Sequence, residues 1–336
     1  MKIKKILGLL CAGAISLTAL ASCGAKKDTD SAADTDKHYK IGIVQIMEHE
    51  SLNIIRDKIV DRLGELGYEK DKNCDIDLQQ ANGEATAVQQ ILDQFKANGD
   101  DLIIAITTPC AQLAAQFSEE IPVVFSAVTD PVGAGIVESL DNTGANITGT
   151  SDKLNIDKIL DFALKIKPEI KTLGFLYNTG EDNSVSCLKD VKTYCEGKGI
   201  KVVEAAATNT SEVQEAAQKL ASSCDAVFSP NDNTIAGSMG TVTEVMNNAK
   251  VPMFVGADSM VRDGGLGTVG ISYDDLGIET ANMAADILSG KKKASEIPVK
   301  VFDTDLSNYI NETTANAIGI KIPDDILNDE KTVISK

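Results

Sequence analysis

Short apolar runs alternate with amphipathic stretches along most of the chain. Ile41-Gly42-Ile43-Val44 is a continuous apolar run, as expected of a strand buried on both faces. Over residues 51–66 the apolar positions Leu52, Ile55, Ile59, Leu63 and Leu66 share one helical face, and Gly67 supplies a stop. The same reasoning predicts strands over 75–79, 102–106 and 123–125, and helices over 84–97 and 109–117. Strands alternating with helices of these lengths predict βαβ units and a parallel sheet.

The pattern then begins again. Leu173-Gly174-Phe175-Leu176 answers Ile41-Gly42-Ile43-Val44, and Ser184 opens a helix as Ser51 does. Lys198-Gly199-Ile200 answers Leu66-Gly67-Tyr68, Asp225-Ala226-Val227-Phe228 answers Asp101-Leu102-Ile103-Ile104, and Val251-Pro252 answers Ile121-Pro122. The offsets are 132, 133, 132, 124 and 130, which is the mark of a duplicated domain. The expected fold class is therefore α/β, with two doubly wound parallel-sheet lobes and a ligand cleft between them. In such sheets ligands bind beyond the carboxyl ends of the strands.

Polar residues gather at those ends. In the first half they are Gln45, Glu48, His49, Thr107, Thr108, Thr129 and Asp130; in the second, Tyr177, Asn183, Ser184, Asp232 and Asp258. Thr108 before Pro109 predicts a helix start, as does Asn183-Ser184, and either would offer hydroxyl and backbone donors to a ligand carboxylate. Asp232, in the polar loop Ser229-Pro230-Asn231-Asp232-Asn233, is the preferred partner for a ligand ammonium, with Asp130 and Asp258 in reserve. Each of these residues is also a plausible cap or Asx turn. Tyr177 and Tyr273 are candidates for stacking on an aromatic ligand, or else packing residues.

The amino-terminal end carries different chemistry. Lys2, Lys4 and Lys5 precede an apolar run too short to span a bilayer, which predicts a cleaved export signal. That run ends in Leu20-Ala21-Ser22-Cys23, which resembles a bacterial lipobox, so Cys23 is the expected lipidation site. Residues 24–37 have almost nothing to bury and predict a tether. Cleavage before Cys23 leaves 314 of the 336 residues and takes the net charge from −18 to −21. That length suits two domains, and that charge argues against nucleic acid as a partner. Five further cysteines, Cys74, Cys110, Cys187, Cys195 and Cys224, form no C-x-x-C pair, and no metal site or cofactor is expected. Catalytic motifs are also missing: there is no nucleophile elbow, no Walker loop and no zincin helix.

Taken together, several segments resemble the ABC-transporter substrate-binding family whose characterised members take aromatic amino acids. They include Ile41 to Ile46, Thr107-Thr108-Pro109, Val128-Thr129-Asp130-Pro131-Val132-Gly133, Asn146-Ile147-Thr148-Gly149, Glu181-Asp182-Asn183-Ser184, Asp232-Asn233-Thr234 and Ile271-Ser272-Tyr273-Asp274-Asp275. The resemblance implies the type I periplasmic-binding fold, with crossovers near 146–150, 271–273 and 299–302. The lobes are then 39–148 plus 273–299 and 149–272 plus 300–336, behind a signal over 1–22 and a tether over 23–38. It also implies no enzyme, a small amino acid as ligand (tryptophan, tyrosine or phenylalanine), ABC permease subunits as partners, and an extracytoplasmic place on the outer face of the cell membrane. A ligand-sensing lipoprotein, or a receptor for a sugar or nucleoside, stays open on sequence alone.

Overall fold

The computed structural model describes residues 37–336. The expected signal, Cys23 and nearly all of the expected tether lie outside the described residues. The strands are β1 Tyr39–Gln45, β2 Cys74–Gln80, β3 Leu102–Ile106, β4 Val123–Ser126, β5 Ile147–Ser151, β6 Thr172–Tyr177, β7 Lys201–Ala206, β8 Ala226–Ser229, β9 Met253–Val255, β10 Gly267–Gly270, β11 Lys300–Val301, β12 Ser307–Asn311 and β13 Thr332–Ser335.

They form two sheets, ordered β11-β5-β4-β3-β1-β2 and β13-β12-β10-β9-β8-β6-β7. Every pairing is parallel except β10 with β12. The order β2-β1-β3-β4-β5 in one sheet and β7-β6-β8-β9-β10 in the other is the same order, so the sequence repeat is a repeat of topology. The apolar runs produce it directly. Ile41 and Ile43 sit between Ile76 and Leu78 on one side and Leu102 and Ile104 on the other. Helices cover the faces with Ile55, Ile59, Leu92 and Phe95, all fully buried. In the second sheet Phe175, Phe228 and Phe254 pack with Ile159, Phe162 and Val191 on one face. Leu176, Val227 and Val255 pack with Ala217, Leu220 and Val242 on the other.

The chain passes between the sheets three times: after Ser151, between Gly270 and Tyr273, and after Val301. The first passage begins just past the expected 146–150, and the third begins within the expected 299–302. β5 pairs with β4 through Phe125 and Gly149, so it stays in the first sheet to its end. β11 pairs with β5, Lys300 beside Thr150, which keeps that short edge in the first sheet as well. The helix expected over 109–117 is an α-helix Thr108–Ala114 closed by a 3-10 turn Ala115–Phe117. After the second passage, the helix Tyr273–Leu288 returns to lie along the helix Glu50–Glu65. Gly277 permits this close approach: a Cβ there would stand 2.7 Å from the Ile55 carbonyl oxygen.

The five cysteines of the described region are all unpaired, and four are buried. Among the described residues no helix is long and apolar enough to cross a membrane.

Candidate functional site

Between the two sheets lies a small cavity lined from both of them. Its wall comes from segments that follow strands. His49, Ser51 and Leu52 follow β1; Thr107 and Thr108 follow β3; Ala127 and Thr129 follow β4; Asp152 follows β5. From the second sheet come Asn183 after β6, Asn231, Asp232, Asn233 and Ala236 after β8, and Ala257 and Met260 after β9. Tyr273 enters from the second passage between the sheets. This is the carboxyl-end position that parallel topology favours, because each strand there hands over to a helix start with unpaired N–H groups. Gly256 lets the turn after β9 lie against the loop after β8, since a Cβ would meet the Asn231 nitrogen at 2.4 Å.

The central charged group is Asp152, which is 3% exposed. Its Oδ1 accepts from Thr129 Oγ1 at 3.0 Å, and its Oδ2 accepts from Tyr273 Oη at 2.8 Å and from Asn231 Nδ2. Every donor is neutral, and no Lys or Arg pairs with it among the described residues. Burial therefore raises its pKa, against the pull of the three hydrogen bonds. A carboxylate so placed lacks only a cation.

Other buried polar atoms along the same wall lack partners. They are Oγ1 of Thr107 and Thr108, Oδ1 of Asn183 and Asn231, and Nδ1 of His49. Buried polar groups without partners are uncommon, so five on one cavity wall point to a ligand that supplies them. The backbone is strained at the same place. Thr107 has φ 92° and Ala127 φ 55°, values that L residues rarely adopt and that cluster at binding sites.

The sequence-expected residues divide. Thr107, Thr108, Asn183, Asp232 and Tyr273 do line the cavity. Thr108 is not the helix cap; that position falls to Thr107. Asp232 is a structural carboxylate: fully buried, it caps the helix Asn233–Ala236 through Ile235 N at 2.9 Å and accepts from Asn178 N at 2.6 Å and Ser184 Oγ at 2.7 Å. Like Asp152, Asp232 has three neutral donors spread over both oxygens and no cation among the described residues, but two of its donors are backbone N–H groups and one of those is the helix cap. Ser184 stands behind Asp232, away from the wall.

The remaining candidates lie off the cavity. Asp130 accepts from the backbone N–H of Gly133, three residues on, at 2.9 Å and from Ser186 Oγ. Asp258 pairs with Arg262 at 2.7 Å. Gln45 is buried under the loop after β1, donating to Met47 and Asn53, and Glu48 is exposed near Arg56. Tyr177 packs edge-on to Phe175 and donates to Glu204 at 3.0 Å, so it offers no stacking face to the cavity.

Sequence reading placed His49 and Asn231 at strand ends without giving either a role, and it passed over Asp152. Asp152 follows the strand Ile147–Ser151, whose sequence Ile-Thr-Gly-Thr-Ser has a single apolar side chain and reads as a crossover, and that reading hid it.

A family model described as ABC transporter substrate binding protein matches residues 40–334. A "Tyrosine-binding protein" of Clostridioides difficile is 36% identical over 326 residues, 96% of this chain and 94% of that protein. A crystal structure of an ABC domain in complex with L-Trp from Streptococcus pneumoniae is also 36% identical, with TM-score 0.84 over 89% of this chain and all of that one. A ligand-free, open structure of a substrate-binding protein with adhesive properties from Clostridium difficile, at the same identity and coverage, gives only 0.66. The present arrangement of lobes is thus nearer to the complex than to the open form.

Proposed function

Because the chain belongs to the ABC transporter substrate-binding protein family, we propose that its cavity captures an aromatic amino acid and that the protein presents this ligand to its permease. The observation that carries this reading is Asp152, a buried carboxylate on the cavity wall with three neutral donors and no cation. A ligand ammonium completes it in a charge-assisted bond. The unpaired hydroxyls of Thr107 and Thr108 suit the ligand carboxylate, and Leu52, Ala236, Ala257 and Met260 suit an apolar ring. The ligands printed for the two relatives, tyrosine and L-Trp, are of this class.

The receptor works outside the cytoplasm, held to the outer face of the cell membrane by acyl chains on Cys23. Calorimetry of tryptophan, tyrosine, phenylalanine and leucine, with glucose and adenosine as controls, tests the ligand class. Binding of an aromatic amino acid alone supports it; binding only of the sugar or nucleoside sinks it. For the anchor, Cys23→Ala should shed the protein from the membrane fraction, and retention there would count against lipidation.

A further inference from the structure

We propose that His49 selects the ligand's ring: its Nδ1 accepts a hydrogen bond from a ring donor, so the site prefers a phenol O–H or an indole N–H to a bare phenyl ring. This rests on the reading of the cavity as an amino-acid site. It adds a specificity-determining residue and narrows the ligand class to aromatic amino acids that carry a ring donor.

The argument runs outward from a buried carboxyl. Glu181 Oε2 accepts from the backbone N–H of Asn233 at 3.0 Å, and Oε1 from the backbone N–H of Thr234 at 3.1 Å. Backbone N–H groups can only donate, so both oxygens of Glu181 accept here; burial raises its pKa to about 7 while these bonds pull it down, and in the ionised form they favour Glu181 has no proton to give. Oε2 also receives the side-chain amide of Asn233 at 2.6 Å. That contact fixes which end of the Asn233 side chain is nitrogen. Its other end, Oδ1, faces Nε2 of His49 at 3.4 Å, across from the first sheet's side of the cavity. An amide oxygen can only accept, so Nε2 carries the proton.

Burial keeps the ring neutral by lowering its pKa to about 4. A neutral ring with its proton on Nε2 has a bare lone pair on Nδ1. That nitrogen is buried and has no hydrogen-bond partner, on a residue that lines the cavity.

The other open groups on the wall discriminate poorly. Thr107 and Thr108 hydroxyls rotate and can donate or accept, so they adapt to either ligand. Ser51 is already engaged with Ser259. Nδ1 of His49 can only accept. A ligand that closes the cavity without offering a donor leaves this acceptor dry and unmet, which is the costly case. A site built to bond a ligand O–H or N–H rejects the analogue that lacks it for the same reason. Phenylalanine is that analogue of tyrosine.

The test compares tyrosine, tryptophan and phenylalanine by calorimetry on wild type, His49→Leu and His49→Gln. Wild type should bind tyrosine or tryptophan about tenfold or more tighter than phenylalanine. His49→Leu should bring the tyrosine-to-phenylalanine ratio close to one, by weaker tyrosine and tighter phenylalanine binding because no acceptor is left unmet, and the phenylalanine binding that remains certifies the fold. His49→Gln retains an acceptor and should keep part of the preference. An unchanged ratio in His49→Leu overturns the role of His49 and leaves the amino-acid site standing. Failure of all three ligands to bind wild type overturns both. Nitrogen-15 NMR of the imidazoles is independent of variant folding and simple to assign, since the chain has two histidines. The Nε2–H tautomer, with Nδ1 shifted by tyrosine and not by phenylalanine, is expected; an Nδ1–H tautomer overturns the proposal.

Discussion

Tyr273 donates its hydroxyl to Oδ2 of Asp152 at 2.8 Å, joining the first passage between the sheets to the second. Thr129 from the first sheet's side and Asn231 from the second's converge on the same carboxylate. One buried group thus belongs both to the cavity wall and to the hinge. A ligand cation that satisfies Asp152 would therefore also steady the passages about which the lobes turn.

Asp152→Asn should weaken amino-acid binding about 100-fold, because the ligand ammonium loses a charge-assisted partner in a dry site. Tyr273→Phe should cost about tenfold. Calorimetry reads both, and circular dichroism checks that the fold persists. Retained affinity in Asp152→Asn would sink the assignment.

The pH dependence has a defined sign. Burial raises the pKa of Asp152 in the free protein, so a proton competes with the ligand ammonium as pH falls through that raised value. Affinity should drop there in wild type and not in Asp152→Asn. Stability of the free protein moves the other way. Between the ordinary aspartate pKa and the raised one, the folded state holds more protons than the unfolded state, so this group's contribution is present at low pH and is lost as pH rises through the window. Urea titrations at several pH values, wild type against Asp152→Asn, measure that difference.

Asp232→Ala should act mainly on stability. It removes the cap of the helix Asn233–Ala236 and orphans donors from Asn178 and Ser184. A loss of about 2–4 kcal/mol is expected from those two effects. A thermal melt indistinguishable from wild type would refute the structural role and return Asp232 to the list of ligand partners.

Thr107→Gly should separate stability from binding. The φ of 92° strains a β-branched residue and suits glycine, so unfolding free energy should rise by about 1 kcal/mol. Affinity should fall, because a cavity hydroxyl is lost. Denaturant unfolding and calorimetry on one preparation check the pair of outcomes. A destabilised variant would show that the surroundings have adapted to threonine.

Ligand should contract the molecule. Contacts that bridge the lobes, Gln112 to Asp182 at 2.7 Å and Ser186 to Asp130 at 3.1 Å, can form only when the lobes approach. Small-angle scattering should show a smaller radius of gyration with a bound amino acid. The Gln112 bond is solvent-exposed, so Gln112→Ala should speed release only two- to threefold or so. Identical scattering with and without ligand would argue against closure in solution.

Local pattern was enough to place most of the elements. The run Leu102–Ile106 became a strand with the expected ends, and Ile55, Ile59 and Leu63 became the buried stripe of one helix. The duplication was legible because the same landmarks recur in the same order along both halves of the chain. Periodicity reports only whether a side chain faces a core, and these residues do. It could not rank the polar residues at the strand ends. Asp130, Asp232, Asp258 and Asp152 all follow strands and read alike in sequence. Their roles differ because of what the fold brings to each: a turn amide for Asp130, a helix start for Asp232, a guanidinium for Asp258, and for Asp152 only neutral donors beside a cavity. Those partners come from positions up to 121 residues away along the chain. Whether a buried carboxylate is already satisfied depends on distances of about 3 Å between such remote segments, and only tertiary structure sets them.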